Sequence, residues 1–354
     1  RINYDANGEN GALLLEPSRQ NLFTQSEYFS SSDWVKTNVT ATDNSNVSPE
    51  GLQNATLIND GTAAVTQHWF YQSISLSSGN TYTISFYAKY VDRKNMFVNI
   101  YNGATSQYVF YDIQNGVVLS SGGDAVTDIV DVGSGWYRII YTRAIVSSSA
   151  NFRIGMANNA PTESYTGENK EALVYGFQLE ANATYATSYI PNHSGTGGVT
   201  RAADSCSVTG ASDVIGQSEG TVFIDINNRV LSPYPNEYVF YLTGTGSNQL
   251  WLRKESGGNN FTARLVVGGS NIWTISVVPP NGLTKIALAY KSGDSVVYLN
   301  GTQVNTSSAT YSGNVLEDFY FSSVASAYPE LKLKQAILFN ERLTNAELAT
   351  LTTL

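Results

Sequence analysis

The segment at residues 67–76 could bind a sugar, because aromatic and amide side chains alternate there with apolar ones. Trp69 and Tyr71 share one parity of the run with Gln67, and Phe70 has the opposite parity. In a β-strand, successive side chains point to opposite sides of the sheet, so one parity feeds the core and the other meets solvent. Planar rings beside hydrogen-bonding groups suit a pyranose, which has an apolar C–H face and a rim of hydroxyls. Either ring could instead be an isolated surface residue or part of the core of a bent strand.

Neighbouring predicted strands repeat this division into an apolar parity and a polar, aromatic parity. Their outward positions form a candidate ligand face, made of Gln67, Trp69, Tyr71, Tyr87, Lys89, Asn99, Tyr101 and Arg153. Lys89 and Arg153 could pair with the carboxylate or sulfate of an acidic sugar, because charge-assisted hydrogen bonds are stronger than neutral ones. The sequence does not show whether these strands share one sheet, so the common face is an inference from parity.

A second aromatic position surrounded by cations lies in the last third of the chain. Leu250 and Leu252 have core parity, whereas Trp251 and Arg253 point the other way. The parity of the next strand puts Arg264 outward as well. A tryptophan between two guanidinium groups is a candidate site for an acidic glycan. The alternative interpretation is a surface cluster held by cation–π contacts without any ligand.

The composition limits the classes of protein to which the chain can belong. Its 354 residues suggest two domains, and 42% apolar residues suffice for real cores. Charged residues make up only 14%, against about 25% in typical globular domains, and the net charge is −9. That charge argues against nucleic acid as a partner, and the lack of an apolar run of about 18 residues argues against membrane insertion. With Cys206 as the only cysteine and two histidines, disulfide frameworks and most zinc or histidine-triad chemistry are excluded.

Strand-like segments recur about every 10–15 residues, and no long helical period interrupts them. This rhythm predicts an all-β protein built from two antiparallel β-sandwich, or jelly-roll, domains in tandem. Residues 1–12 would lead into a first domain at residues 13–190, and residues 208–354 would form the second. Residues 191–207 are rich in Gly, Ser and Thr and therefore predict a linker.

Local signals fix some finer features. Asn300-Gly301 between two apolar runs predicts a two-residue hairpin turn. Thr344, followed three residues later by Glu347, predicts the start of a short helix near residues 344–351. In the strand predicted at residues 172–180, parity assigns to the core Leu173, Tyr175, Phe177 and Leu179.

Motifs in the first part of the chain occur in an order found in a family of phage proteins. They are Leu13–Leu22, Ser26–Phe29, Trp34, Gly79–Lys89, Gly135–Arg138, Phe177–Glu180, Ala186–Pro191 and Thr200–Asp204. Together they resemble the phage version of a CenC-type carbohydrate-binding module, over about residues 11–205. Residues 208–354 resemble the laminin-G/concanavalin-A-like sandwich that usually follows it, through Val296–Gly301 and Leu343–Leu348.

This resemblance implies a bacteriophage tail fibre, spike or other receptor-binding virion protein that adsorbs to a host-surface glycan. The chain would lie on the surface of the virion, outside the cell. Its partners would be the host glycan, other virion proteins and further copies of itself in a homotrimer, with no nucleic acid and no membrane. Modules of the CenC type often hold a structural Ca²⁺. Under the resemblance, Glu16, Glu27 and Glu180 are the candidate oxygen donors, although their spacing does not resemble an EF-hand.

Two other functions stay open at this point. The concanavalin-A-like fold also hosts polysaccharide depolymerases, either lyases or glycosidases, so the fold alone does not exclude catalysis. A glycosidase needs two carboxylates that flank the scissile bond, and neither Glu317 with Asp318 nor Asp128 with Asp131 has the alternate spacing expected on a strand. A virion module that only supports structure or oligomerisation is the third interpretation. We expect a non-catalytic, glycan-binding protein without a cofactor other than calcium.

Overall fold

The computed structural model describes residues 2–3, 11–120, 123–228, 237–255, 260–280, 282–313, 315–321 and 331–354. Nearly all of its regular structure is β-strand, which confirms the predicted all-β class. The strands up to residue 201 are β1 (Ile2–Asn3), β2 (Ala12–Leu15), β3 (Arg19–Asn21), β4 (Val35–Thr37), β5 (Thr40–Asn46), β6 (Ala55–Asn59), β7 (Thr66–Tyr71), β8 (Thr81–Tyr90), β9 (Asn95–Tyr101), β10 (Ser106–Asp112), β11 (Val117–Val118), β12 (Val126–Asp131), β13 (Trp136–Ala144), β14 (Asn151–Ala157), β15 (Ser164–Tyr165), β16 (Glu171–Ala181) and β17 (Val199–Arg201). The later elements are β18 (Ser207–Val208), β19 (Glu219–Asn228), β20 (Glu237–Gly244), a 3₁₀ turn (Thr245–Ser247), β21 (Asn248–Lys254), β22 (Phe261–Val267), β23 (Ser270–Val277), β24 (Gly282–Lys291), β25 (Ser295–Leu299), β26 (Thr302–Ser307), β27 (Asp318–Tyr320), β28 (Leu331–Phe339) and the helix α1 (Asn345–Thr352).

Contacts divide the chain into two compact units, each of them an antiparallel β-sandwich. The first sandwich is Arg19–Arg201, and the second is residues 1–18 together with 202–354. Sequence patterning instead predicts that the first domain begins at residue 13 and that residues 191–207 form a linker. The described helix is too short and too polar to cross a membrane, and no other described segment is a longer helix.

Two short strands account for this difference in the boundaries. In β2, Leu13 and Leu15 pair with Leu333 and Leu331 of β28, so this apolar segment adds a strand to the second sandwich. Leu14 and Leu15 are buried there, so the hydrophobic effect favours the pairing of this segment with that sheet. Within the predicted linker, β17 pairs with β3, so the chain stays part of the first sandwich until residue 201.

The first sandwich consists of two facing sheets. One has seven strands, in the order β11-β10-β9-β14-β7-β15 with β4 also paired to β7, and the other has six, in the order β12-β13-β8-β16-β6-β5. The core includes aromatic rings: Phe177 lies 4.5 Å from Phe29 and 5.5 Å from Trp34, measured between ring centroids. Burial of such large apolar side chains is the main stabilising contribution to a sandwich.

A buried amide joins the two ends of the first sandwich. Asn21 is fully buried, and its Nδ2 donates to the carbonyls of Phe177 and Ile190 at 3.0 and 2.9 Å. Its Oδ1 accepts from the backbone amides of Phe23 and Leu179, both at 3.1 Å. The amide therefore uses its two donors and both acceptor positions. The strand that opens the sandwich is fixed in this way against the segment that closes it.

Two further buried side chains extend this connection. Gln178 donates to the carbonyl of Thr187 at 3.2 Å and accepts from the amide of Ile190 at 2.7 Å. The carboxylate of Glu180 accepts from the backbone amide of Thr187 at 3.0 Å and from its hydroxyl at 2.6 Å. The segment at residues 187–190, which closes the sandwich, thus pairs its backbone groups with buried side chains. Such pairing is required where a buried segment is not part of a β-sheet.

A β-bulge in β16 changes which residues of that strand face the core. The pairing with β8 shifts just after Tyr175, where Gly176 has a φ of 62°. Only glycine adopts this conformation at no steric cost. Phe177 faces the core as predicted, but Leu173 and Tyr175 do not, because the bulge inverts the parity before it. They belong to a separate apolar cluster on the other side of the sheet.

The second sandwich pairs a sheet of seven strands, β1-β2-β28-β19-β24-β25-β26, with one of six, β18-β27-β20-β21-β22-β23. The helix α1 lies on the outer side of the seven-stranded sheet, where Leu348 packs with Phe223 and Tyr298. The predicted cap of this helix is confirmed, because the side chains of Thr344 and Glu347 each accept from the other residue's backbone amide.

The predicted turn between β25 and β26 is also confirmed. Asn300 and Gly301 have φ angles of 47° and 82°, as a two-residue hairpin turn with both central residues at positive φ requires.

The Asn21 amide gives a test of how the first sandwich is closed. N21A should lower its free energy of unfolding by about 3 kcal/mol or more, because four backbone groups lose a buried partner and each such loss costs roughly 1–3 kcal/mol. Hydrogen exchange of the central β8 amides in the full chain would measure this change. N159A removes an exposed amide and should leave exchange as in wild type. Equal protection in N21A and N159A would contradict the role given to Asn21.

Candidate functional site

The outward side of the seven-stranded sheet in the first sandwich carries most of the predicted ligand face. Arg153 of β14 is paired with Asn99 of β9, which is paired with Tyr108 of β10. The register of β7 on β14, continued by one residue, puts Tyr71 on the other side of Arg153, and Val35 of β4 is paired with Tyr71. We name this surface the Arg153 face; its members are Gln67, Trp69, Tyr71, Phe97, Asn99, Tyr101, Tyr108, Phe110 and Arg153. The residues that alternate with them, such as Phe70, Val98, Val109 and Ile154, lie in the core.

A second row runs parallel to the first and is mainly aromatic. Trp69, Gly155, Phe97 and Phe110 are register partners across β7, β14, β9 and β10. A Cβ at Gly155 would lie 2.3 Å from the carbonyl oxygen of His68 and 2.6 Å from the nearest ring carbon of Phe97. Glycine is therefore required where the Phe97 ring crosses β14, and Phe97 is almost completely buried as a result.

Arg153 lies at the centre of this face and is held by an aromatic ring. Its guanidinium carbon is 3.9 Å from the ring centroid of Trp69, and that ring is stacked with Tyr71 at 5.4 Å and an angle of 20°. One face of the indole is thus covered by the arginine and is closed to a sugar while the arginine stays there. A guanidinium stacked in this way still has its N–H donors at its edge, pointing in the plane of the group.

Arg153 differs from the other cationic side chains of the first sandwich. In the part of residues 19–201 that the structure describes, each other Lys or Arg side chain has a carboxylate, carbonyl or hydroxyl partner. Arg153 has none among these residues, and its contact is with the Trp69 ring. Among the described residues its charge is therefore unpaired, in a protein whose net charge is −9.

Three other predicted members have different surroundings. Asn99 is fully buried and exchanges hydrogen bonds with the hydroxyl of Ser106 at 3.0 and 3.3 Å, so it supports the face from below. Tyr101 is partly exposed at the end of β9. Gln67 is partly buried and is paired in register with Ser164 of β15, at the edge of the sheet.

Tyr108 and Phe110 also belong to the Arg153 face, although they are not among the predicted ligand residues. Their rings are stacked at 6.3 Å and both are partly exposed. The signal was present in the sequence: they alternate with Val109 and Tyr111, which are buried. The turn at Asn102-Gly103 joins β9 to β10, so it fixes which residues of the two strands lie side by side.

Tyr87 and Lys89 lie apart from the Arg153 face. They are in β8, a strand of the six-stranded sheet on the other side of the core. Tyr87 packs against the apolar cluster on the outer side of that sheet, with the guanidinium carbon of Arg138 5.4 Å from its ring centroid. Lys89 donates to the carbonyl of Ser134 at 2.8 Å. The structure therefore assigns both side chains to the packing of the other sheet.

A depression borders the edge of the Arg153 face. It has a volume of about 550 Å³ and includes Val35, the register partner of Tyr71. Polar groups line it: the hydroxyl of Thr24 donates to the carboxylate of Asp33 at 2.9 Å, and the Gln72 amide donates to the carbonyl of Thr24. These two bonds are made within the protein, and the hydroxyl-bearing side chains of Ser32 and Ser73 also line the depression beside β4.

In the second sandwich, the structure brings together the three residues predicted there. The guanidinium carbons of Arg253 and Arg264 lie 4.9 and 5.0 Å from the ring centroid of Trp251. Trp251 has the outward parity that the sequence predicts and is not part of the core cluster, but only 3% of it is exposed. The two arginine side chains and Tyr238 cover it, so its ring is not an open stacking platform.

Two of the three predicted calcium donors, Glu27 and Glu180, accept hydrogen bonds from other side chains of the protein. Glu27 Oε1 accepts from the hydroxyls of Tyr175 and Tyr189 at 3.2 and 3.1 Å and lies 3.0 Å from His193 Nε2. Burial, and then nearby carboxylates, raise the pKa of both phenols far above the usual value, so both stay protonated as donors. Glu180 is bound by Thr187, as described above.

Glu16 belongs to the second sandwich, whereas Glu27 and Glu180 belong to the first. Within the described residues, no three His, Cys, Asp or Glu side chains form a group that could hold a metal ion. These donors do not fit a calcium site, and calcium binding stays a prediction from the resemblance.

Comparison with known proteins gives no family for the chain. No family model matches it, and no curated protein matches it. Among solved structures, the binding domain of botulinum neurotoxin DC in complex with SialylT is 14% identical with a TM-score of 0.33, over 38% of this chain and 35% of that one. The CBM40 of a Ruminococcus gnavus IT-sialidase bound to α2,3 sialyllactose is 14% identical with a TM-score of 0.33, over 40% and 86%. Galectin-Ib of Xenopus laevis is 12% identical with a TM-score of 0.28, over 38% and 99%. Similarity at this level neither places the chain in a family nor assigns it a ligand.

The close packing at Gly155 predicts a sensitive position. G155A should destabilise the first sandwich by about 1–3 kcal/mol, because the added methyl group overlaps the backbone of β7 and the Phe97 ring. G195A is the matched control, since a Cβ there would meet only the Gln25 amide nitrogen, at 3.8 Å. Thermal unfolding of both variants measures the difference. A G155A variant as stable as G195A would show that β7 and β14 are not packed this closely.

Proposed function

We propose that the first sandwich binds a glycan on the Arg153 face. The observation that carries this proposal is the guanidinium of Arg153, which is fixed by the Trp69 ring and has no polar partner within the described residues. Its N–H donors at the edge of the group could bind hydroxyl, ring or carboxylate oxygens of a sugar. A purely structural arginine would be expected to use those donors within the protein, as the other arginines of this sandwich do.

Around this cation, the Arg153 face offers both kinds of contact that a sugar needs. Tyr71, Tyr101 and Tyr108 are partly exposed, so their rings can pack against the C–H face of a pyranose while their hydroxyls reach its rim. The depression beside Val35 adds further polar groups. In this proposal Trp69 holds Arg153 in place and is not itself the platform on which the sugar stacks.

The Arg153 face is tested by paired substitutions on the two sheets. After a glycan array has identified a ligand, R153Q and Y71A should each weaken its binding by roughly 1.5–3 kcal/mol, the range for hydrogen bonds to charged groups and for interface hot spots. K89Q is the matched control, because it also removes one cation but lies on the other sheet. Calorimetry would give the affinities, and melting curves would show that the variants fold. Full affinity in R153Q and Y71A, or an equal loss in K89Q, would place the site elsewhere.

We further propose that this binding serves adsorption of a phage to its host, as part of a tail fibre, spike or other virion protein outside the cell. The support is the ordered set of motifs that resembles the phage CenC-type module, and the homotrimer implied by the same resemblance belongs to this proposal. Light scattering of the full chain should then give the mass of a trimer. A monomer at every concentration would contradict the trimer without affecting the glycan proposal, which the R153Q series tests separately.

A further inference from the structure

The six-stranded sheet of the second sandwich carries a row of large polar side chains on its outward side. Tyr320, Tyr241, Trp251, Arg264 and Thr274 are successive register partners across β27, β20, β21, β22 and β23. Adjacent strands are about 4.8 Å apart, so the row spans roughly 19 Å. The residues that alternate with it, such as Leu242, Leu250 and Leu265, belong to the core.

The two outer sides of the second sandwich differ in how they are covered. The helix α1 packs on the seven-stranded sheet, whose outward residues are accordingly apolar, such as Phe223, Ala287 and Tyr298. Within the second sandwich, α1 contacts β24, β25 and β26, so it lies on the side of the sandwich opposite the six-stranded sheet. On the outward side of the six-stranded sheet, Trp251 is covered by the side chains of Arg253 and Arg264 and by Tyr238, whose ring lies 5.5 Å away, edge-on.

The two arginines beside Trp251 are not equivalent. Arg253 is neutralised by Glu255, to which its Nη2 donates at 3.0 and 3.1 Å. Arg264 donates from Nε to the hydroxyl of Thr274 at 3.2 Å. In the described part of the chain no group accepts from its two terminal nitrogens, and no carboxylate pairs with it. Its stacking on Trp251 and its bond to Thr274 fix the plane of the guanidinium and leave this pair of donors available.

We propose that Arg264 and the row around Trp251 form a second glycan site, which binds the carboxylate of an acidic sugar. A carboxylate matches the paired terminal N–H groups of a guanidinium in a bidentate arrangement. The hydroxyls of Tyr241 and Tyr238 lie on the same side of the sheet and could bind the hydroxyls of the sugar. The net charge of −9 favours a sugar acid over a nucleic acid, which binds to extended basic surfaces.

This proposal goes beyond the Arg153 face, since it concerns the other sandwich and different residues. The two sites can therefore be tested in one experiment. The chain has five tryptophans, and their indole N–H resonances can be assigned in the full ¹⁵N-labelled chain by single Trp→Phe variants. Trp251 then reports on the second site, and Trp69 reports on the first.

The probes are glucuronate and its neutral counterpart glucose. In wild type, glucuronate should shift the Trp251 resonance until the shift saturates, and glucose should not shift it. The R153Q variant should respond in the same way, because its substitution lies in the other sandwich. R264Q should weaken this response at least about tenfold, while K285Q, which removes a cation from the other sheet of this sandwich, should keep it. R264K retains the charge but not the bidentate fork, so it should also bind glucuronate more weakly than wild type. It replaces R264Q as the test variant if R264Q does not fold.

Several results would overturn the proposal. They are a Trp251 resonance that glucuronate leaves unmoved in wild type, an equal response to glucose, or an unchanged affinity in both R264Q and R264K. A response to glucose 6-sulfate or inorganic sulfate without one to glucuronate would overturn the assignment of a carboxylate ligand. Because Trp69 is observed in the same spectra, failure of the second site is distinguishable from failure of the Arg153 face.

Discussion

The first sandwich depends on the four hydrogen bonds of one buried amide. Asn21 ties the strand that opens the sandwich to Phe177, Leu179 and Ile190 near its end. An amide with all its groups paired can be buried at little cost, whereas the same backbone groups left without a partner would each be destabilising. Because β16 forms the middle of one sheet and this network fixes its far end, closing the sandwich holds β16 and thereby the core between the two sheets.

Several of the motifs behind the proposed phage-type module contribute side chains to this network. They contain Asn21, Glu27, Gln178, Glu180 and Tyr189, whose side chains bind one another or the same short segments. Another motif residue, Arg138, donates to the carbonyl of Thr187. By contrast, Trp69, Arg153 and the other members of the Arg153 face lie outside every one of these motifs. The resemblance therefore reports how the sandwich is closed, and the ligand has to be inferred from the side chains that the closed sandwich presents.

Local features could be predicted from the sequence, and long-range ones could not. The cap at Thr344 and the turn at Asn300-Gly301 depend on a few adjacent residues, so their patterns were sufficient. The bulge at Gly176 inverts the parity of β16, and one glycine in a strand does not reveal whether it bulges. Parity correctly gave the outward direction of Tyr87 and of Trp69. It could not show that they lie on different sheets, because strand pairing is set by contacts between residues far apart in the sequence. For the same reason the sequence could not assign Ala12–Leu15 to the second sandwich.

The way in which Arg153 and Arg264 are held bears on what they can bind. A carboxylate from the protein would fix a guanidinium firmly, but it would also occupy the N–H donors that a ligand needs, as Glu255 does for Arg253. An indole ring orients the guanidinium through its π face and uses none of those donors. Trp69 and Trp251 each do this from the outward side of a sheet, in separate sandwiches. Such a cation is pre-organised, so little side-chain entropy is lost when an oxygen ligand arrives. Under the two proposals, affinity for an acidic sugar would come from short-range pairing, since the net charge of −9 does not attract anions from a distance.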